Sequence, residues 1–447
     1  MDLEELTRAC CEHAGRLGAD QAEAYATRSH ELSIQGSSGG TDWVRSGTQQ
    51  GVGVRALVGG RLGFAYTSDL HAGVRLVARR AVANARFAAP DVNHGLPEAD
   101  PAETPALDLV DHRFAEATTA EKVGVLGRMT AAATAVDRRV KTVAWCNYSE
   151  VDQEVAVATG GVARRYRNTY CHCRIQAVAA GPHGEELGFA VSVARAPQGL
   201  EPERAGADAG LRAIELLEAG RAPTGRGLVL LAPLAAAGLV AQLARVLSGD
   251  ALQTRQSPFH DKLGAAIASP VFELGDDPFL PEAPGSRPFD AEGMTSRRTR
   301  LLAGGELRTF LHNTYTARQA GAVSTASAHR TSYRGLPEVA PSNLIVRAGD
   351  RTLEELVREA GSGVLLTLLQ GTHAVHPYTG AFSVGGSGLL IESGELRHAV
   401  REVTVAGTFG DLLRGVVATG SDATIVPDRA VVVTPTIAVE GLTTAGA

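Results

Sequence analysis

Lysine is nearly absent from this chain of 447 residues: Lys122, Lys141 and Lys262 are the full complement, and arginine supplies the other 40 of 43 basic residues. Beside abundant alanine and glycine, that skew reads as coding bias, so a local run of arginine carries little weight by itself. Aromatic residues are scarce at 5%, which leaves Leu, Val and Ala to fill the core. Cysteine is limited to Cys10, Cys11, Cys146, Cys171 and Cys173, an odd number with none after residue 173, which excludes a disulfide framework. Positive charge is in deficit as well. The 49 acidic residues against 43 basic ones give a formal charge of −6, no footprint for nucleic acid or an anionic membrane. The amino terminus, Met1-Asp2-Leu3-Glu4-Glu5, is acidic where a secretory signal needs cations, so a cytoplasmic location is expected. The longest uncharged run, Gly227 to Ala244, has 18 residues and contains Pro233, short of the roughly 20 that span a bilayer. A soluble protein without a membrane span is expected.

What is present is ordinary globular composition, 44% apolar and 21% charged, at a length that suits about three domains of roughly 150 residues. Asp2 is placed to cap a first helix whose apolar positions Leu3, Leu6, Cys10, Ala14 and Leu17 recur every three to four residues. Alternating strand-like runs follow, with a hairpin turn at Gly59-Gly60 and a second helical stretch through Leu70, Val74 and Val77. Residues 1–87 thus read as an amino-terminal α/β domain and the Pro- and acid-rich stretch 88–110 as a linker. Residues 111–220 read as a central antiparallel-sheet domain: a helix at about 119–136, strands from Val140 to Arg195, and a closing helix with Leu211, Ile214 and Leu217. Residues 221–447 form the carboxy-terminal region: a buried strand at Leu228–Leu231, a core helix after Pro233, hairpins near Gly304 and Gly394, and a polar stretch at 322–342 expected to be a mobile loop. The fold class expected is α+β, an amino-terminal α/β region with antiparallel strands followed by a mostly antiparallel β region with interspersed helices. No repeat of fixed period is visible.

Local motifs supply no complete catalytic set. Cys171-His172-Cys173 looks like a metal triad until the strand period is applied: the cysteines face one way and the histidine the other. Gly36-Ser-Ser-Gly-Gly40 fits the nucleophile-elbow spacing but precedes no helix. His373 and His376, in Gly-Thr-His-Ala-Val-His-Pro-Tyr, fall in a loop rather than on one helix face. No His-Glu-x-x-His or Cys-x-x-Cys occurs.

Two longer blocks carry a resemblance. Phe289-Asp-Ala-Glu-Gly-Met-Thr-Ser-Arg-Arg-Thr-Arg, a Gly304-Gly305 turn and Tyr315-Thr-Ala-Arg318 form the first; Thr379-Gly-Ala-Phe-Ser-Val-Gly-Gly-Ser-Gly with Val403-Thr-Val-Ala-Gly407 form the second. In these blocks, and more weakly at Gly51–Phe64, Pro341–Leu344 and Leu353–Leu356, the chain resembles the TldD/PmbA (TldE) family along nearly its whole length. The resemblance implies a cytoplasmic peptidase of two related subunits. The TldD-type subunit holds zinc through His-Glu-x-x-x-His on a helix plus a Cys near the carboxy terminus; the TldE/PmbA-type subunit lacks those ligands. Here the matching helix follows Pro233, and the matching positions are Val240, Ala241 and Arg245. Val and Ala have no lone pair to offer, and arginine is a permanent cation. The expected role is therefore a non-catalytic subunit with no cofactor of its own, zinc residing in a TldD-like partner of a heterodimer. No catalytic or metal-ligating residue is assigned to this chain. A peptide is the expected substrate of the complex, for proteolysis or for natural-product maturation. His373, His376, Tyr378, Gly385 and Gly386 are the candidates for peptide or partner contact. Two alternatives stay open: a stand-alone metallohydrolase using His373 and His376 with a carboxylate, and a regulatory protein of the gyrase-modulator kind.

Overall fold

The computed structural model describes every residue except Met1, Ala72, Ala99, Pro101, His183, Asp428, Arg429 and Ala447, so two positions of the expected linker lie outside the described residues. The first half of the chain runs α1 (Leu3–Arg16), β1 (Gln21–Ser37), β2 (Gly40–Val58), β3 (Arg61–Thr67), α2 (Gly73–Phe87), α3 (Thr119–Val136), β4 (Val140–Thr159), β5 (Val162–Gly181), β6 (Gly184–Ala194) and α4 (Pro202–Leu217). Local signals set several of these bounds. The Asp2 carboxylate accepts from the N–H groups of Glu4 and Glu5, and Thr118 with Glu121 forms a reciprocal capping box at α3. Glycines at 59 and 60 take φ of 56° and 72°, which lets a two-residue turn follow the strand twist.

The amino-terminal and central regions share one antiparallel sheet, ordered β3-β2-β1-β4-β5-β6. β1 pairs with β4 from Ala24↔Ala158 to Gly36↔Cys146, so the two regions are welded along a full strand. Each half has the order α-β-β-β-α, and the sheet reads symmetrically outward from the β1–β4 pair. The duplication carries no sequence period, but it reappears in packing. A β-carbon on Gly63 of β3 would lie 2.0 Å from Ala81 O and 2.3 Å from Ala85 N of α2. One on Gly188 of β6 would lie 1.9 Å from Ala209 O and 2.5 Å from Ala213 N of α4. In both halves a glycine lets a helix rest directly on the sheet. The helices cover one face, over Ala24, Val52, Val54 and Ala56 in one half and Cys171, Cys173 and Ile175 in the other.

The second half contains β7 (Gly225–Leu231), α5 (Pro233–Val246), α6 (Gly249–Gln253), β8 (Leu274–Asp276), β9 (Thr299–Ala303), β10 (Glu306–Leu307), α7 (Thr314–Ala320), β11 (Ala328–His329), β12 (Glu338–Val339), β13 (Asn343–Val346), α8 (Leu353–Ala360), β14 (Ser362–Gln370), β15 (Ala381–Glu392), β16 (Glu395–Thr408), α9 (Phe409–Gly415), β17 (Val416–Thr419), β18 (Thr424–Pro427), β19 (Val431–Thr434) and β20 (Ile437–Gly446). Strands β16-β15-β14-β7-β20 close on themselves because β20 also pairs with β16, and β17 pairs with β20 at the side. A second sheet runs β10-β9-β8-β13-β19-β18, and α5 lies between it and β7 and β14 of the closed sheet. That position explains why α5 is apolar nearly all round. The chain is α+β, as the sequence implies. No helix among the described residues is long and apolar enough to cross a membrane.

The stretch 322–342 is not the free loop its polarity suggests. Thr325 through Ala328, Arg330 and Tyr333 are buried against the uncovered face of the first sheet. Gly51 and Gly53 leave the room: a β-carbon at either would come within 2.3 Å of Tyr333. Its polar side chains are used inward, so polarity did not mean solvent.

Candidate functional site

Two places combine chemistry with position: the helix α5, and the seam between the first sheet and the second half of the chain.

On α5, Val240 and Ala241 are buried in the core, while Arg245 is exposed and donates to Gln242 Oε1 at 3.3 Å. A zinc ion held here would need imidazole, thiolate or carboxylate donors, and these three side chains provide none. Among the described residues no group of three or more His, Cys, Asp or Glu is placed to hold a metal ion. The residues present do not fit the metal. Beside α5 lies the loop with three of the candidate contacts: a β-carbon on Gly238 would meet Thr372 at 2.9 Å, next to His373. His376 and Tyr378 follow in the same loop, exposed, their rings 5.9 Å apart, with His376 Nδ1 3.1 Å from Thr379 Oγ1. Gly385 and Gly386 are not part of that cluster. They lie within β15, paired to β14 and β16, and line a separate groove with Gln370 and Arg401.

At the seam, the motif block that begins at Phe289 has a structural use. Glu292 accepts from Arg55 Nη2 at 2.9 Å and from the Thr314 N–H at 2.8 Å. Arg55 also donates to Glu23 through Nε at 3.0 Å, and Arg330 donates to Glu23 while lying over the Tyr25 ring at 4.9 Å. Glu23 and Arg55 come from β1 and β2; Glu292 and Arg330 come from the second half. The quartet is neutral and almost fully buried. Burial opposes ionisation of Glu292, but Arg55 beside it and the Thr314 N–H hold its carboxyl below the usual range. Two further motif residues pin the 88–110 segment: Tyr315 donates to Asp91 at 2.8 Å and Arg318 to Leu96 O at 3.1 Å.

Next to the quartet, the same sheet face borders a cavity of about 520 Å³. Because Cys171, Cys173 and Ile175 enter the helix-covered core, Tyr166, Asn168, Tyr170, His172 and Arg174 of β5 all face the cavity. Arg287, Asp290 and His329 approach from the opposite wall. Burial pushes His172 and His329 down to about 4, helped by Arg174 and Arg287 respectively, so both rings are neutral near pH 7. Burial and the neighbouring Glu292 raise Asp290 above the usual carboxylate range. Sequence reasoning separated His172 from its flanking cysteines but missed this wall; the signal was the alternation of polar and aromatic residues at positions 166 to 174.

Residues 22–85, 112–217 and 224–446 match, in order, the PmbA/TldA metallopeptidase domain 1, central domain and C-terminal domain. Fold and matched domains together define a metalloprotease-like scaffold of three parts. The chain belongs to the PmbA/TldD family. It is 27% identical to the metalloprotease PmbA of Escherichia coli O157:H7 over 424 residues, covering 94% of this chain and 91% of that protein. A metalloprotease of Methanothermobacter thermautotrophicus is 28% identical, covering 90% and 88%. Among solved structures, one from Thermotoga maritima named for modulation of a DNA gyrase superposes with a TM-score of 0.89 at 26% identity, covering 99% and 100%. TldE from Thermococcus kodakarensis shares the fold, with a TM-score of 0.88 at 24% identity over 99% and 100% of the two chains.

Proposed function

We propose that this chain is the non-catalytic, TldE/PmbA-type subunit of a two-subunit zinc metallopeptidase, acting in the cytoplasm on peptides, either in proteolysis or in maturation of a peptide product. The observation that carries this reading is the side-chain chemistry of α5: two buried aliphatic residues and a cation stand where the family's zinc-binding subunit has two histidines and a glutamate. A metallopeptidase needs a metal with an open position and a base, and these residues supply neither. Zinc then belongs to a TldD-like partner, and this chain contributes surface. The loop with His373, His376 and Tyr378, exposed beside α5, is the part of that surface most suited to peptide or partner contact.

The test is co-expression with a TldD-like chain, followed by co-purification, elemental analysis and peptide cleavage with each chain alone and mixed. Stoichiometric zinc and cleavage are expected only when the TldD-like chain is present, and the two chains should elute together. Tightly held zinc in this chain alone, with cleavage lost on His373→Ala, would establish the stand-alone hydrolase instead.

A further inference from the structure

We infer that the cavity beneath β5 is a binding site for an oligopeptide bearing a free carboxylate, with Arg287 as the group that grips it. Arg287 is 8% exposed, and its Nε and Nη2 have no hydrogen-bond partner among the described residues. These two nitrogens form one edge of the guanidinium, the edge that meets a carboxylate in two parallel bonds. A desolvated guanidinium with free donors is costly unless something completes it.

The obvious acids do not. Asp290 lines the same cavity, but its oxygens accept from the backbone N–H groups of Glu292, Met294 and Ala328. Asp276, whose charge Arg287 also senses, accepts at Oδ1 from Ser342 and Asn343. Arg174 adds a third unfilled donor, its Nε, while its Nη2 is fixed on Pro427 O at 3.0 Å. Asn168, 6% exposed, presents an Oδ1 with no partner, the complement of a peptide N–H. The volume of about 520 Å³ falls within the range of small-molecule sites, about 300–1,000 Å³. A bare inorganic anion would leave most of it empty, whereas the rings of Tyr166 and Tyr170 offer an apolar wall to an organic body. None of these residues is on α5, so the proposal does not involve the positions that match the zinc motif.

The purified single chain is mixed with a randomised pool of N-acetyl tetrapeptides as free acids, and separately with the same pool as amides; retained peptides are read by mass spectrometry after ultrafiltration. Acids are expected to be retained roughly tenfold over amides, the ratio that about 1.4 kcal/mol makes. Arg287→Gln should abolish the enrichment and Arg174→Gln should reduce it, while Arg75→Ala, exposed on α2, keeps it. If Arg287→Gln does not fold, the acid–amide comparison and Arg174→Gln decide alone. Equal retention of acids and amides overturns the inference, as does enrichment that survives every cavity variant that folds. Arg287-dependent binding of inorganic phosphate without peptide enrichment overturns it in favour of a phosphate site. Because the assay uses this chain alone, its outcome is independent of whether a TldD-like partner exists.

Discussion

Replacing Arg55 by methionine tests whether the buried quartet joins the two halves of the molecule. Methionine keeps most of the length and removes the charge. Glu23 retains Arg330, but Glu292 is left with only the Thr314 N–H, fully buried and one negative charge in excess. Breaking a buried pair by deleting one partner costs about 3–5 kcal/mol, against about 0–1 kcal/mol for an exposed pair. Neutralising the orphan as well, in Arg55→Met/Glu292→Gln, should return about 1–3 kcal/mol as a coupling term. The sign of the pH dependence should also change. In the parent, the depressed Glu292 favours folding above its unfolded value, and that contribution is lost as pH falls through the lower folded value. Without Arg55, burial outweighs the one remaining donor, the Thr314 N–H, so the Glu292 carboxyl rises and the variant should gain stability between roughly pH 7 and 5 relative to the parent. Urea unfolding followed through Trp43 and Trp145, which lie on β2 and β4 of the shared sheet, reads both effects. A loss below about 1 kcal/mol, or a variant whose stability falls with acidification as the parent's does, would refute the claim that these charges are desolvated.

Asp276→Asn gives an opposite case. Burial raises Asp276 to about 6 from 3.8, so its contribution to folding is present below about 4 and is lost as pH rises through about 6. Asparagine can keep an acceptor for the Ser342 and Asn343 N–H groups, so the variant should match or exceed the parent at pH 8, by up to about 3 kcal/mol, and show a flatter pH–stability curve in chemical denaturation. Gly188→Ala and Gly63→Ala should each cost about 1–3 kcal/mol by forcing a helix off the sheet, visible as a lower melting midpoint. A Gly63→Ala variant that melts with the parent would show that α2 has room to spare.

Local signals made much of the fold legible. The Asp2 cap, the Gly59-Gly60 turn, the start of α5 at Pro233 and the hairpin near Gly394 each depend on neighbours a few residues away. The union of the first two regions depends on β1 meeting β4 more than a hundred residues later, which no window contains. The stretch 322–342 misled because Arg330 pairs with Glu23, a partner 307 residues distant. On α5 the lack of donors at Val240, Ala241 and Arg245 is a matter of side-chain identity and needs no coordinates to be read. Arg287 was not, because arginine is abundant in this chain and only its burial distinguishes it.

The mirrored halves of the sheet present two comparable berths to the rest of the chain. In one, glycines at 51 and 53 admit Tyr333 and the segment around it, and the polypeptide becomes its own occupant. In the other, tyrosines, a histidine and an arginine on β5 keep the walls apart and a hollow persists. A scaffold doubled in this way can spend one copy on holding itself together and leave the other free to diverge. Bulk added at Gly53 should therefore loosen the molecule, whereas bulk added at Asn168 should only reshape the space beneath β5.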